Sequence, residues 1–249
     1  MYKEYFLLLL FAHLLGDFYM QTDRQAEKKE KNFKWVLLHG LFYWMAVLLV
    51  SIPVMSGQVA LYGTIAAVVH LVIDALKFLY ISSKSKKKSK PVGSYLFFVD
   101  QAIHLLSIAV IAYIFIIRGN TVQINANVQL VFKTLDIPAR TLLSWVVAFL
   151  AIHKPANIAI SEILKNYKPK DKDSIIEDNK KAGRLIGTLE RTIILVLIFL
   201  DQYSAIGLVL TAKSIARYEK ITKDSAFSEY YLIGTLLSTL LVIAVALIL

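Results

Sequence analysis

Apolar residues run along this chain in long blocks, and the charged residues are gathered between them. The blocks cover residues 5–20, 35–54, 59–81, 95–117, 141–164, 185–210 and 230–249. A large soluble core would be broken into shorter segments with polar faces. Hydrocarbon offers no partner to backbone N–H and C=O groups, so each block is predicted to cross a bilayer as a helix of about 20 residues. The expected fold class is all-α, a polytopic transmembrane helix bundle of seven or eight membrane segments. The uncertainty of one lies in 185–210, which is long for a single crossing and carries Glu190, Arg191, Asp201 and Gln202. A bend at 202–204, with 205–221 returning as a half-helix, would make the eighth crossing.

The charge distribution gives the blocks an orientation. The basic connections 24–34, 84–90 and 165–184 follow the first, third and fifth blocks, whereas 51–58 and 119–138 are nearly free of positive charge. Positive loops stay in the cytoplasm, which puts the N-terminus outside. The chain then divides into a four-span unit over 1–118, an external loop or interfacial segment over 119–140, and C-terminal spans over 141–249. A formal net charge of +10 would suggest nucleic acid in a soluble protein. Here the basic residues flank apolar runs, so the expected contact is with anionic lipid headgroups, and no nucleic-acid partner is expected. The first block has no small-residue cleavage site and reads as a retained span. Cysteine is absent, so a metal would have to be held by His and carboxylate groups.

Such groups occur where they are most costly. His13 and Asp17, His70 and Asp74, and Asp100 and His104 are each four residues apart within the first, third and fourth blocks, and His39 lies in the second. Residues four apart on a helix share a face. With the chain direction alternating, Asp17, His39, Asp74 and Asp100 fall within about one to two and a half turns of the cytoplasmic boundary, and His13, His70 and His104 about one turn deeper. Ionisable groups at that depth face the bundle interior, pairing with one another or lining a functional cavity. Hydrogen-bonded clamps, an ion or proton pathway, and a shared metal site are the alternatives. Imidazole and carboxylate ligands suit Zn²⁺, Mn²⁺ or Fe²⁺, with Zn²⁺ foremost, and surplus ligands would orient the others or hold a second metal. Gln21 and Gln101 extend the polar faces. Lys77, three residues after Asp74, either holds an anionic phosphate or snorkels to the headgroups.

A second polar set occupies 183–217. Glu190 is a candidate to complete a metal shell or act as general base, and Arg191 to bind phosphate, against the alternative that both make structural links between spans. Asp100 is the other candidate for proton transfer. His153 with Pro155 is expected to mark a kink in the fifth block.

The strings His13-Leu14-Leu15-Gly16-Asp17-Phe18 with Gln21, His70-Leu71-Val72-Ile73-Asp74 with Lys77, and Asp100-Gln101 with His104 resemble a bacterial membrane-protein family, domain of unknown function 3307. Gly187 with Glu190-Arg191, and Ala212-Lys213-Ser214, look like the C-terminal extension of its longer members. The resemblance implies a multi-pass protein of the bacterial cytoplasmic membrane and brings no reaction with it. A looser likeness is to bacterial integral-membrane hydrolases that array His and Asp on short spans. The expected function is an intramembrane metal-dependent hydrolase acting on a lipid or lipid-linked phosphate from the cytoplasmic leaflet. A transporter or channel using the same groups as a pathway is the alternative, as is a non-catalytic membrane partner protein.

Overall fold

The structure is a computed structural model that describes residues 2–86, 94–165, 167–168 and 176–248. Among these residues every regular element is helical. Residues 87–90 of the basic stretch at 84–90, and 166 and 169–175 of that at 165–184, lie outside the described residues. The chain forms two units, Met1–Val147 and Ala148–Leu249.

In the first unit, α1 (Tyr2–Leu14) runs into a π turn over Leu15–Tyr19, followed by α2 (Asp23–Lys31), α3 (Phe33–Ser51), α4 (Gly57–Lys86), α5 (Tyr95–Ile117) and α6 (Ala126–Thr134). α1 packs on α3 and α5, α3 on α4, and α4 on α5, which closes a ring of four helices. α2 lies against α3 and α4. Its start is fixed by a capping box: Thr22 Oγ1 accepts from the Gln25 N–H and the Gln25 side chain accepts from the Thr22 N–H. Asn32, in extended conformation, ends α2 and caps α3 by accepting from the Lys34 N–H. The charged helix is therefore held between the first and second apolar helices at both ends.

The polarity of this unit is inverted relative to a soluble bundle. Asp74 is 3% exposed, and Leu76, two residues on, is 61% exposed. Leu49, Leu61, Leu106 and Tyr113 are exposed as well. Such a surface is stable against hydrocarbon, and the chain is a membrane protein. Five helical stretches among the described residues are long and apolar enough to cross a bilayer: Phe33–Val54, Gly57–Lys84, Tyr95–Ile117, Ala139–Leu164 and Ser225–Ile248. The further crossings expected from the sequence fall on α1, which has 13 residues before its π turn, and on helices of the second unit that are more charged or shorter.

Close approach inside the ring depends on glycine. A Cβ on Gly16 would lie 2.6 Å from Tyr43 Cδ2, and one on Gly40 2.7 Å from Leu71 Cδ1. A Gly16→Ala variant is expected to lose about 1–3 kcal/mol through overpacking. Thermal unfolding in detergent should show a lowered midpoint, with Gly57→Ala, whose Cβ meets nothing within 4 Å, as the unaffected control.

The second unit holds the end of α7 (Ala139–Ile152), α8 (Lys154–Leu164), α9 (Ile176–Phe199), α10 (Tyr203–Ile215), α11 (Tyr218–Lys223) and α12 (Ser225–Ile248). α12 packs on α8, α9 and α11, and α10 on α9. The break between α7 and α8 falls at His153, two residues before Pro155, whose ring cannot continue the hydrogen-bond ladder. α9 ends at Leu200–Gln202, where Asp201 adopts a positive φ of 55° before α10 begins.

Candidate functional site

The four helices of the ring each bring polar side chains to one place. His13 ends α1 and Asp17 sits in the π turn, which Met20 N–H closes by donating to Leu15 O at 2.8 Å. π turns insert one extra residue into a helix and recur at functional sites. α3 supplies His39, α4 supplies His70 and Asp74, and α5 supplies Asp100, Gln101 and His104. All but Asp17 and Gln101 are buried residues, and the Asp17 side chain is nearly so.

Asp17 is the hub. Its Oδ1 lies 2.9 Å from His39 Nε2 and 3.2 Å from His70 Nε2. Its Oδ2 accepts from Gln101 Nε2 at 3.2 Å and lies 3.9 Å from His13 Nε2. Gln101 Oε1 in turn faces His13 Nε2 at 3.3 Å, so that nitrogen carries the proton and donates. The two imidazoles of His39 and His70 meet with their Nε2 atoms 3.2 Å apart. Asp74 Oδ2 lies 3.5 Å from each. Tyr43, four residues after His39, stacks on the His70 ring at 3.6 Å between centroids. His104 donates through Nδ1 to its own helix at Asp100 O, 2.9 Å away, leaving Nε2 bare.

Two lysines border the cluster. Lys29 of α2 donates to Asp74 Oδ1 and Oδ2 at 3.1 and 2.9 Å, and Lys77 donates to Asp100 Oδ2 at 2.8 Å. Burial works against the charge on Lys29, but Asp74, Asp17 and Asp100 outweigh it and hold its ammonium above the ordinary lysine range. It is a full cation at neutral pH.

The donor set fits a divalent metal. Three groups can each bring one ligand atom per residue within 4.8 Å of the others: His13–Asp17–His70, His39–His70–Asp74 and Asp74–Asp100–His104. Ligand bonds of about 2.0–2.2 Å in tetrahedral zinc sites set ligands about 3.3–3.6 Å apart. The spacings of 3.2, 3.5 and 3.5 Å among His39, His70 and Asp74 match one face of such a shell, and Asp17 Oδ1 adjoins the same His–His edge. His13 Nδ1, His70 Nδ1, His104 Nε2 and Asp100 Oδ1 are buried without a hydrogen-bond partner. Orphaned buried polar atoms are rare and costly, and a bound ligand is one way to satisfy them.

All seven His and Asp residues singled out in the sequence thus converge, and Lys77 and Gln101 join them. Lys29 and Tyr43 were not foreseen. Tyr43 was within reach, since it continues the His39 face by one turn, whereas Lys28, Lys29 and Lys31 stand close together in α2 and hydropathy does not choose among them. Glu190 and Arg191 lie in the second unit. Glu190 pairs with Lys213. Arg191, 2% exposed, donates through Nε to Ile152 O at 2.6 Å and through Nη2 to Asn157 Oδ1 at 2.7 Å, with Ser238 Oγ 3.3 Å from Nη1.

A family described as a protein of unknown function, DUF3307, matches residues 5–133, just over half of the chain and the whole of the His/Asp cluster. No curated protein and no solved structure matches the chain.

Proposed function

The chain belongs to the DUF3307 family, and from that premise we propose that it is a metal-dependent hydrolase of the membrane, with one divalent cation, foremost Zn²⁺, held by His39, His70, Asp17 and Asp74. One observation carries this reading: two imidazole Nε2 atoms 3.2 Å apart, each within 3.5 Å of an oxygen of Asp17 and of an oxygen of Asp74, inside an apolar bundle. His13 and Gln101 orient Asp17, and Tyr43 fixes the plane of His70. The substrate class is a lipid or lipid-linked phosphate entering from the cytoplasmic leaflet of a bacterial inner membrane, with the N-terminus outside. Lys77, 21% exposed beside Asp100, would meet its anionic group. A bound divalent cation polarises a phosphoryl oxygen and acidifies water. Asp100, whose Oδ1 has no hydrogen-bond partner, would accept the proton that an attacking water loses as its oxygen bonds to phosphorus, and would return it to the ester oxygen as the bond to phosphorus breaks. Glu190 and Arg191 are assigned structural roles within the second unit.

Elemental analysis of protein purified in detergent tests the metal. Wild type should carry close to one equivalent and His39→Ala/His70→Ala only a trace, with release of phosphate from a lipid-linked phosphate lost in parallel. Equal trace metal in both proteins would end the proposal. A second reading has one feature in its favour, the unbroken polar path from Lys29 through Asp74, His39 and His70 to Asp17, Gln101 and His13. Ion or proton flux in proteoliposomes that persists after chelation would favour a transporter.

A further inference from the structure

The oxygen of Asp74 that faces both His39 and His70 is also the oxygen that Lys29 holds at 2.9 Å. A metal ion drawn to these three ligands and an ammonium on the same oxygen are two cations competing for one anion, and at such a separation in a low-dielectric interior they repel strongly. The charges of the network point the same way. Asp17, Asp74 and Asp100 stand against Lys29 and Lys77, which leaves one negative charge uncompensated if the histidines are neutral. A divalent cation added to that set overshoots to a positive surplus. A divalent cation that replaces Lys29 while Lys77 stays brings the set to neutrality.

We infer that Lys29 is the resident counter-cation of the site and that metal binding expels it from Asp74, so that metal affinity is set by a residue of α2 rather than by the ligands alone. The inference rests on the metal reading above. Lys29 sits on a helix whose start is pinned by the Thr22–Gln25 capping box and whose neighbour Lys28 stacks over Trp35 at 4.5 Å. The displacement therefore needs only the Lys29 side chain to swing from the cluster toward the aqueous boundary, where a lysine head is at home.

Two measurements with Zn²⁺ alone test this. The first is Zn²⁺ affinity by chelator competition on full-length protein in detergent. Lys29→Met should bind about tenfold or more tightly than wild type, Lys29→Arg no more tightly, and Lys28→Met like wild type. Equal affinity of wild type and Lys29→Met would overturn the role of Lys29 while leaving the metal site standing. Binding by neither protein would overturn both, and binding by Lys29→Met alone would support the displacement outright. The second uses wild type only, so that no variant needs to fold. Amine-reactive labelling read by mass spectrometry should rise at Lys29 on addition of Zn²⁺ and stay level at Lys28. Lys29 labelling that is unchanged when Zn²⁺ is bound would overturn the inference.

Discussion

Asp17→Ala is expected to lower the thermal midpoint of the detergent-solubilised protein by about 10 °C, from a loss of about 3–5 kcal/mol. Its two oxygens meet side chains from three other helices, His39 on α3, His70 on α4 and Gln101 on α5, besides His13 on its own. Truncation leaves the Gln101 amide N–H without its acceptor and leaves His39 and His70 with only the more distant Asp74 Oδ2, 3.5 Å from each. It also leaves the ammonium groups of Lys29 and Lys77 facing two carboxylates in place of three. Asp17→Asn keeps the shape and part of the hydrogen bonding, so it should recover about half of the lost stability. An Asp17→Ala protein that melts with wild type would mean that the cluster is held by its apolar surroundings and that Asp17 joins nothing.

The second large effect is expected far along the chain. Arg191→Met should destabilise the second unit by about 3 kcal/mol. The guanidinium satisfies Ile152 O, a carbonyl left over where the helix breaks at His153 ahead of Pro155, and it ties that break to Asn157 on α8 and Ser238 on α12. Methionine fills the space and reaches none of the acceptors. Arg191→Lys should do little better, because a single ammonium cannot address acceptors spread along a planar fork. Limited proteolysis reads the result: cleavage near 150–160 should be faster in both variants. Unchanged cleavage together with an unchanged midpoint would assign the three contacts no energetic weight.

The class of the fold was open to view in the sequence because a bilayer forces every crossing to satisfy its own backbone, and long apolar blocks are the direct result. The polar residues of the cluster were open to view for the complementary reason, since an ionisable group in an apolar run has to be explained. The distances between them were not. Spacing of four residues puts His13 and Asp17 on one face, yet the imidazole nearest Asp17 is His39, 22 positions away, because neighbouring helices and the π turn set the rotation. Helix ends in the second unit were similarly hidden. α9 begins at Ile176, well before the apolar block at 185, because hydropathy marks the greasy part of a helix and is blind to its polar start. Lys29 was hidden most deeply. α2 carries lysines at 28, 29 and 31, and it is the packing of α2 on α3 and α4 that turns one of them to the cluster.

The π turn over Leu15–Tyr19 makes the first helix sensitive to chain length in a way the other three are not. Such a turn holds one residue more than an α-helix of the same rise. The turn ends the first helix, and Met20 and Gln21 lead from it to α2. A deletion between His13 and Asp17 would change the angle between them around the helix axis by up to about 100°, so the carboxylate would leave its place beside His39 and His70. Substitutions within this segment can be judged one side chain at a time. Insertions and deletions cannot, because they act on the phase of the helix, and it is the phase that brings the first helix into register with the cluster.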